Sequence, residues 1–178
     1  LLRRVAAVAT ALIYLQIVVG ATMRHTGAGL AIPDFPLMFG QWLPPHWDPK
    51  IAIHFAHRLG AVIVSLAILA TTGHVFYHHR SRSELRRPSL LLLALLATQV
   101  TLGAMTVLSQ KEFIINSLHV VTGASVLVTS LVLTLRAHRA RFAVDADPQG
   151  SAPGMALATR RADALASADT LREAGDHA

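Results

Sequence analysis

The sequence predicts an all-α fold: an integral membrane four-helix bundle over residues 1–142, followed by a disordered tail over 143–178. Three observations carry this. First, 53% of the 178 residues are hydrophobic and only 15% are charged, with a mean hydropathy of +0.48. Soluble domains carry about a quarter charged residues. Second, four apolar runs each reach the roughly 20 residues that a spanning helix needs. Third, the arginines gather at the ends of those runs, which is the pattern of membrane orientation and not of a basic groove. The net charge of +6 therefore does not point to nucleic acid. The chain has no cysteine, which excludes disulfides, thiolate chemistry and cysteine-ligated metals.

The runs are taken in order. Residues 5–23 carry no charge. Residues 51–77 carry one, Arg58. Residues 89–110 and 113–135 carry none. In lipid the backbone must satisfy its own hydrogen bonds, so each run is expected as a helix. The N-terminal LLRR imitates a signal peptide, but the apolar stretch is too long for an h-region and no small-residue cleavage site follows. The first residue is Leu1, so the chain is expected to be a fragment or to have a misassigned start.

Arg3, Arg4, Arg80, Arg82, Arg86, Arg87, Arg136, Arg139 and Arg141 fall on one side; Arg24, Lys50 and Lys111 fall on the other. The arginine-rich side is expected to be cytoplasmic, with both termini inside. The expected location is the inner (cytoplasmic) membrane. The tail from about Ala143 has no apolar stripe long enough to bury, and is read as disordered with a transient helix near residues 155–172.

The runs also repeat. Gln16 precedes Gly20-Ala21, and Gln99 precedes Gly103-Ala104, both as Q-x-x-x-G-A. His57 precedes Gly60-Ala61, and His119 precedes Gly123-Ala124. Helices 1 and 2 thus loosely repeat as helices 3 and 4, and such repeats often place a site between the units.

Most of the ten histidines lie in loops, in the tail or among the cytoplasmic arginines, where a solvated polar role suffices. His54, His57 and His119 lie inside spans, where an ionisable group is costly and normally serves something. His57 and His119 each lie six residues into their runs, roughly 9 Å deep at 1.5 Å per residue. Two neutral imidazoles at one depth suit axial ligation of a haem iron. Gly60 and Gly123 lie on the faces of their histidines, where they leave room for a flat macrocycle. Arg24 and Arg58 suit its propionates. Interhelical hydrogen bonding is the plainer role for such histidines. Zinc wants three or four ligands, and no carboxylate lies in any span to join the histidines.

The loop GATMRHTGAGLAIPDFPLMFGQWLPPHW, Gly20 to Trp47, resembles that of the heme A synthase family, membrane enzymes that convert heme O to heme A for terminal oxidases. The matching positions are Gly20, Arg24, Thr26, Gly27, Gly29, Leu30, Pro33, Asp34, Phe35, Pro36 and Gly40. Glycines at 27 and 29 suit turns with positive φ, and Pro33 and Pro36 stiffen the Asp34 segment as a lid.

The resemblance covers about residues 5–135. It implies haem b as cofactor, with His57 and His119 as its iron ligands and Arg24, Arg58, Gly60 and Gly123 around it, and heme O as substrate. Family members usually hold two homologous four-helix bundles, so the chain resembles the C-terminal, cofactor-haem half. Its implied partners are then a missing N-terminal half or further copies of itself, membrane lipid and the oxidase assembly machinery, with no nucleic acid.

Three departures stand out. Ile32 and Met38 occupy places where the family often has cysteines. Phe35 replaces a tryptophan. His54 stands where the substrate bundle has a glutamate, so the catalytic residues are left unassigned, with His54 as the candidate at that position. The alternative function is a non-catalytic membrane b-type cytochrome that transfers electrons or handles haem.

Overall fold

The computed structural model describes the backbone of residues 1–145 and the side chains of residues 1–139. The rest of the expected tail, including the transient helix near 155–172, lies outside the described residues. Among the described residues there are four long helices: α1 Leu2–His25, α2 Pro49–His78, α3 Ser83–Leu108 and α4 Phe113–Asp145. All four are long and apolar enough to cross a membrane. The protein is an integral, multi-pass membrane protein of all-α class. The compact unit described below is Leu1–His138.

The helix ends follow local chemistry. Helix α1 stops where Gly27 takes φ +67°, a left-handed conformation that glycine adopts without penalty. Arg24 and His25 in its last turn complement the negative end of the helix dipole. Helix α2 begins at Pro49, behind Asp48, whose carboxylate accepts from the Lys50 and Ile51 amides at 2.8 and 2.9 Å. That is an acidic N-cap with proline at the first helical position. The Glu112 carboxylate does the same for α4, accepting from the Ile115 amide at 2.9 Å.

Helices α1 and α2 run about one to three residues past the expected bounds at each end, and three further boundaries differ. Helix α3 starts at Ser83 and not at 89, running through Arg86, Arg87 and Pro88. Proline removes the amide that would bond the carbonyl four residues back. That carbonyl belongs to Glu84, and Arg136 of α4 donates to it at 2.8 Å. Helix α3 ends at Leu108, short of 110, because Gln110 and Lys111 adopt φ +57° and +62° and turn the chain. Helix α4 continues to Asp145, ten residues past the expected 135, into the segment read as tail.

The apolar core occupies one half of the bundle. Ile13, Val64, Ile68, Val75, Leu85, Leu92, Val126 and Leu133 form a single buried cluster, drawn from the early turns of α1 and α3 and the late turns of α2 and α4. Within it Thr10 ties α1 to α4: its hydroxyl donates to the Ala6 carbonyl and accepts from Ser130 and Thr134 at 2.8 and 2.9 Å. Such hydroxyls are the usual polar glue between helices in lipid. The other half, toward the 26–48 loop, carries His54, His57, His119, Gln16 and Gln99.

Candidate functional site

Two matching brackets hold His57 and His119. In the first, Gln16 of α1 donates through its amide nitrogen to the His57 backbone carbonyl at 2.8 Å and lies 3.1 Å from the ring Nδ1. Gly20, one turn along α1, faces the edge of the same ring: a Cβ there would lie 2.9 Å from His57 Cε1. In the second, the Gln99 amide nitrogen of α3 lies 3.4 Å from His119 Nε2. Gly103, again one turn on, would place a Cβ 3.1 Å from His119 Cε1. A residue four positions along a helix lies on the same face, so Q-x-x-x-G sets an amide and a gap beside one imidazole.

Each ring therefore has one nitrogen against a glutamine and the other without a hydrogen-bond partner among the described residues. For His119 that other nitrogen, Nδ1, is fully buried, and so is Gln99 Oε1, likewise without a partner. Gln16, Gln99, Gly20 and Gly103 were not among the site residues expected from sequence. Their signal in the sequence is the repeated Q-x-x-x-G-A.

Gly60 and Gly123 face those glutamines. A Cβ at Gly60 would collide with the Gln16 amide oxygen, and one at Gly123 would lie 3.1 Å from Gln99 Nε2. The room they leave is filled by an amide on the neighbouring helix, and this is where the structure puts two residues expected beside a macrocycle.

Arg58 points inward under the loop. Its guanidinium donates to the backbone carbonyls of Leu37 at 3.0 Å, Ile32 at 3.2 Å and Asp34 at 2.6 Å. Its Nε lies 3.2 Å from His54 Nε2. Four of its five N–H groups are thus aimed at the lid and His54, leaving one. Phe35, at the family's tryptophan position, lies with its ring centroid 5.8 Å from the guanidinium carbon, within cation–π range. Arg24 is exposed in the last turn of α1.

His54 is buried against the lid, with the Ile32 amide 3.2 Å from Nδ1 and Arg58 on its other nitrogen. A neutral imidazole has one lone pair, so it satisfies one of these donors at a time. It does not join His57 and His119 in a three-ligand cluster; no such cluster of His, Cys, Asp or Glu exists among the described residues.

The lid is internally braced. Asp34 accepts from the Phe39 and Gly40 amides at 2.7 and 2.8 Å. The Gly40 hydrogen bond, helped by that from Phe39 and by the Arg58 charge, holds the Asp34 carboxyl below the usual carboxylate range against the opposing effect of desolvation. Ile32 and Ala28 are wholly buried beneath the loop. Gly27 has the expected positive φ, and Gly40, for which none was expected, has one as well. Gly29 does not. A Cβ there would meet Lys111 Cε at 2.7 Å, so its smallness admits the lysine of the α3–α4 turn.

This geometry can be set beside known proteins. The family model described as cytochrome oxidase assembly protein, COX15-CtaA, matches residues 1–132. The heme A synthase of Symbiobacterium thermophilum is 36% identical over 139 residues, 75% of this chain and 44% of that protein. The heme A synthase of Halalkalibacterium halodurans is 36% identical over 121 residues, 66% of this chain and 39% of that protein. That of Geobacillus kaustophilus is 32% identical over 134 residues, 71% and 41% respectively. The chain spans less than half the length of these curated relatives. With the match running from α1 into α4 and taking in both brackets and the lid, the chain belongs to the COX15-CtaA family of cytochrome oxidase assembly proteins.

Proposed function

We propose that the chain is the haem b-holding four-helix unit of a heme A synthase, the enzyme that oxidises a methyl group of heme O to the formyl group of heme A for terminal oxidases. The observation that carries this reading is the pair of brackets. His57 and His119 each stand against a glutamine, with the other ring nitrogen lacking a partner among the described residues. A buried polar atom without a partner is disfavoured by about 1–3 kcal/mol, and ligation relieves that. The donor set fits a haem held by two neutral imidazoles.

When bound, haem supplies reversible one-electron transfer at its iron. The chain's own residues do the rest. His57 and His119 are the ligands. Gly20 and Gly103 keep the ring edges clear, and Gly60 and Gly123 admit the glutamines behind them. The Arg58 charge and its remaining N–H lie under the lid, and Arg24 stands at the same end; both suit propionate carboxylates. The lid keeps water from the site with Ile32 and Ala28.

The cofactor half is favoured over the substrate half by His54. At the family's glutamate position it is buried against the lid and engaged by Ile32 and Arg58. The methyl oxidation would then take place in a partner unit, either an N-terminal four-helix half or another copy of the chain, close to the oxidase assembly machinery. The arginine distribution supports an inner-membrane orientation with both termini cytoplasmic.

The test is spectroscopic. Purified with haem supplied, the chain should give a six-coordinate low-spin haem spectrum that His57→Ala and His119→Ala each abolish. A wild-type chain that takes up no haem would refute the proposal. Gain of heme O oxidation on adding an N-terminal half, with none from the chain alone, is the result expected of the cofactor half. Oxidation by the chain alone would reject that assignment.

A further inference from the structure

The two brackets share their residue spacing but are not equivalent: Gln16 faces Nδ1 of His57 and Gln99 faces Nε2 of His119, and the two glutamines are held differently. Gln16 is anchored: its amide nitrogen is held by the His57 backbone carbonyl at 2.8 Å. Gln99 has no such anchor. Among the described residues its only side-chain contact of this kind is the 3.4 Å approach of its amide nitrogen to His119 Nε2. In that arrangement two buried atoms on touching residues lack partners, Gln99 Oε1 and His119 Nδ1. Buried polar atoms are nearly always paired, so two orphans side by side call for an explanation.

The two ends of a glutamine amide are almost the same size. Turning the Gln99 amide end for end therefore leaves its packing against Gly123 intact. It also presents Oε1, a pure acceptor, to the ring nitrogen that now meets an amide N–H. A neutral imidazole that donates from one nitrogen must keep its lone pair on the other.

We propose that Gln99 is a positioning residue for His119: its amide oxygen accepts the proton of the ring nitrogen facing it and so fixes the tautomer whose opposite nitrogen offers its lone pair to iron. This rests on the haem-holding function proposed above. Hydrogen-bond partners of this kind orient metal-ligating histidines and raise their basicity.

The test uses the full chain in detergent, titrated with haem b, comparing wild type with Gln99→Met and Gln99→Glu. Methionine fills the same space against Gly123 but cannot accept the proton. Gln99→Met should keep the low-spin spectrum, weaken haem affinity by about 10–100-fold and raise the haem midpoint potential. Gln99→Glu, a stronger acceptor, should lower that potential below wild type.

A Gln99→Met protein with wild-type potential overturns the proposal, whatever its affinity, because loss of the acceptor must change the basicity of the imidazole and with it the potential. If Gln99→Met fails to accumulate, Gln99→Glu decides: a potential at or above wild type overturns it. Failure of the wild type to bind haem removes the function on which the proposal rests. Haem binding by all three proteins with unmoved potentials removes only the role of Gln99.

Discussion

Gln16 meets His57 twice, at the backbone carbonyl at 2.8 Å and at the ring Nδ1 at 3.1 Å, so the imidazole is braced from behind while Gly20 bounds its edge. A ring held on two sides cannot retreat from an added methyl group. Gly20→Ala, with its Cβ 2.9 Å from His57 Cε1, should displace the ring and impair haem binding. The helix itself should gain up to about 1 kcal/mol from the alanine. Gly103→Ala, at 3.1 Å from His119 Cε1, should act in the same direction and more weakly. Haem titration beside thermal unfolding checks this; wild-type haem affinity in Gly20→Ala would count against it.

The loop glycines should separate by cause. Gly27 and Gly40 have open space around them but φ of +67° and +75°, where a side chain costs about 1–2 kcal/mol. Gly29 has an ordinary φ and would meet only the flexible end of Lys111, which can swing aside. Gly27→Ala and Gly40→Ala should each lower stability by about that amount, with Gly29→Ala close to neutral. Chemical denaturation of the three proteins measures the order.

Arg58→Lys keeps the charge but loses the fork that reaches three loop carbonyls. Each such charged hydrogen bond is worth about 1.5–3 kcal/mol when buried, and less at a half-exposed site such as this. Hydrogen exchange at the Ile32–Gly40 amides should speed up at least tenfold, with α2 protection retained. Unchanged exchange in the loop would rule out Arg58 as its anchor.

Asp34 gives the lid a pH dependence. Its carboxyl is held below the ordinary value of 3.8 in the folded protein. A depressed folded value means the stabilisation is complete above the unfolded value and is lost as pH falls through the folded one. The lid should be insensitive to pH above about 4 and loosen below it. Trp42 and Trp47, both in the loop and both exposed, report this by fluorescence. The acid step should be absent in Asp34→Asn.

Arg136 and Pro88 should be coupled through a residue neither of them replaces. Arg136 donates to the Glu84 carbonyl that Pro88 leaves without a helical partner. Arg136→Ala should destabilise by about 0.5–1.5 kcal/mol alone, and by less once Pro88→Ala restores an amide at that position. A double-mutant cycle measures the coupling; additive effects would break the link.

The number of helices was legible in the sequence because a long apolar run in lipid has no other way to pair its backbone. Their ends were less so. Arg86, Arg87 and Pro88 read as a stop before α3, but only the arrival of Arg136 shows how the proline's freed carbonyl is met. The charged residues after Leu135 likewise hid the continuation of α4. His57 and His119 stood out because an ionisable group in a span is costly, and that argument needs no coordinates.

What the sequence could not decide is which atom faces which. Arg58 adjoins His57 in sequence, yet its guanidinium is committed to the lid by three carbonyls from a loop more than twenty residues away. Gly60 and Gly123 lie on their histidines' faces, but the space they open is taken by Gln16 and Gln99. Spacing along one helix sets direction only; occupancy is set by the neighbouring helix, so residue types fixed the helices and the candidate ligands, and packing between helices alone decided how those ligands are held.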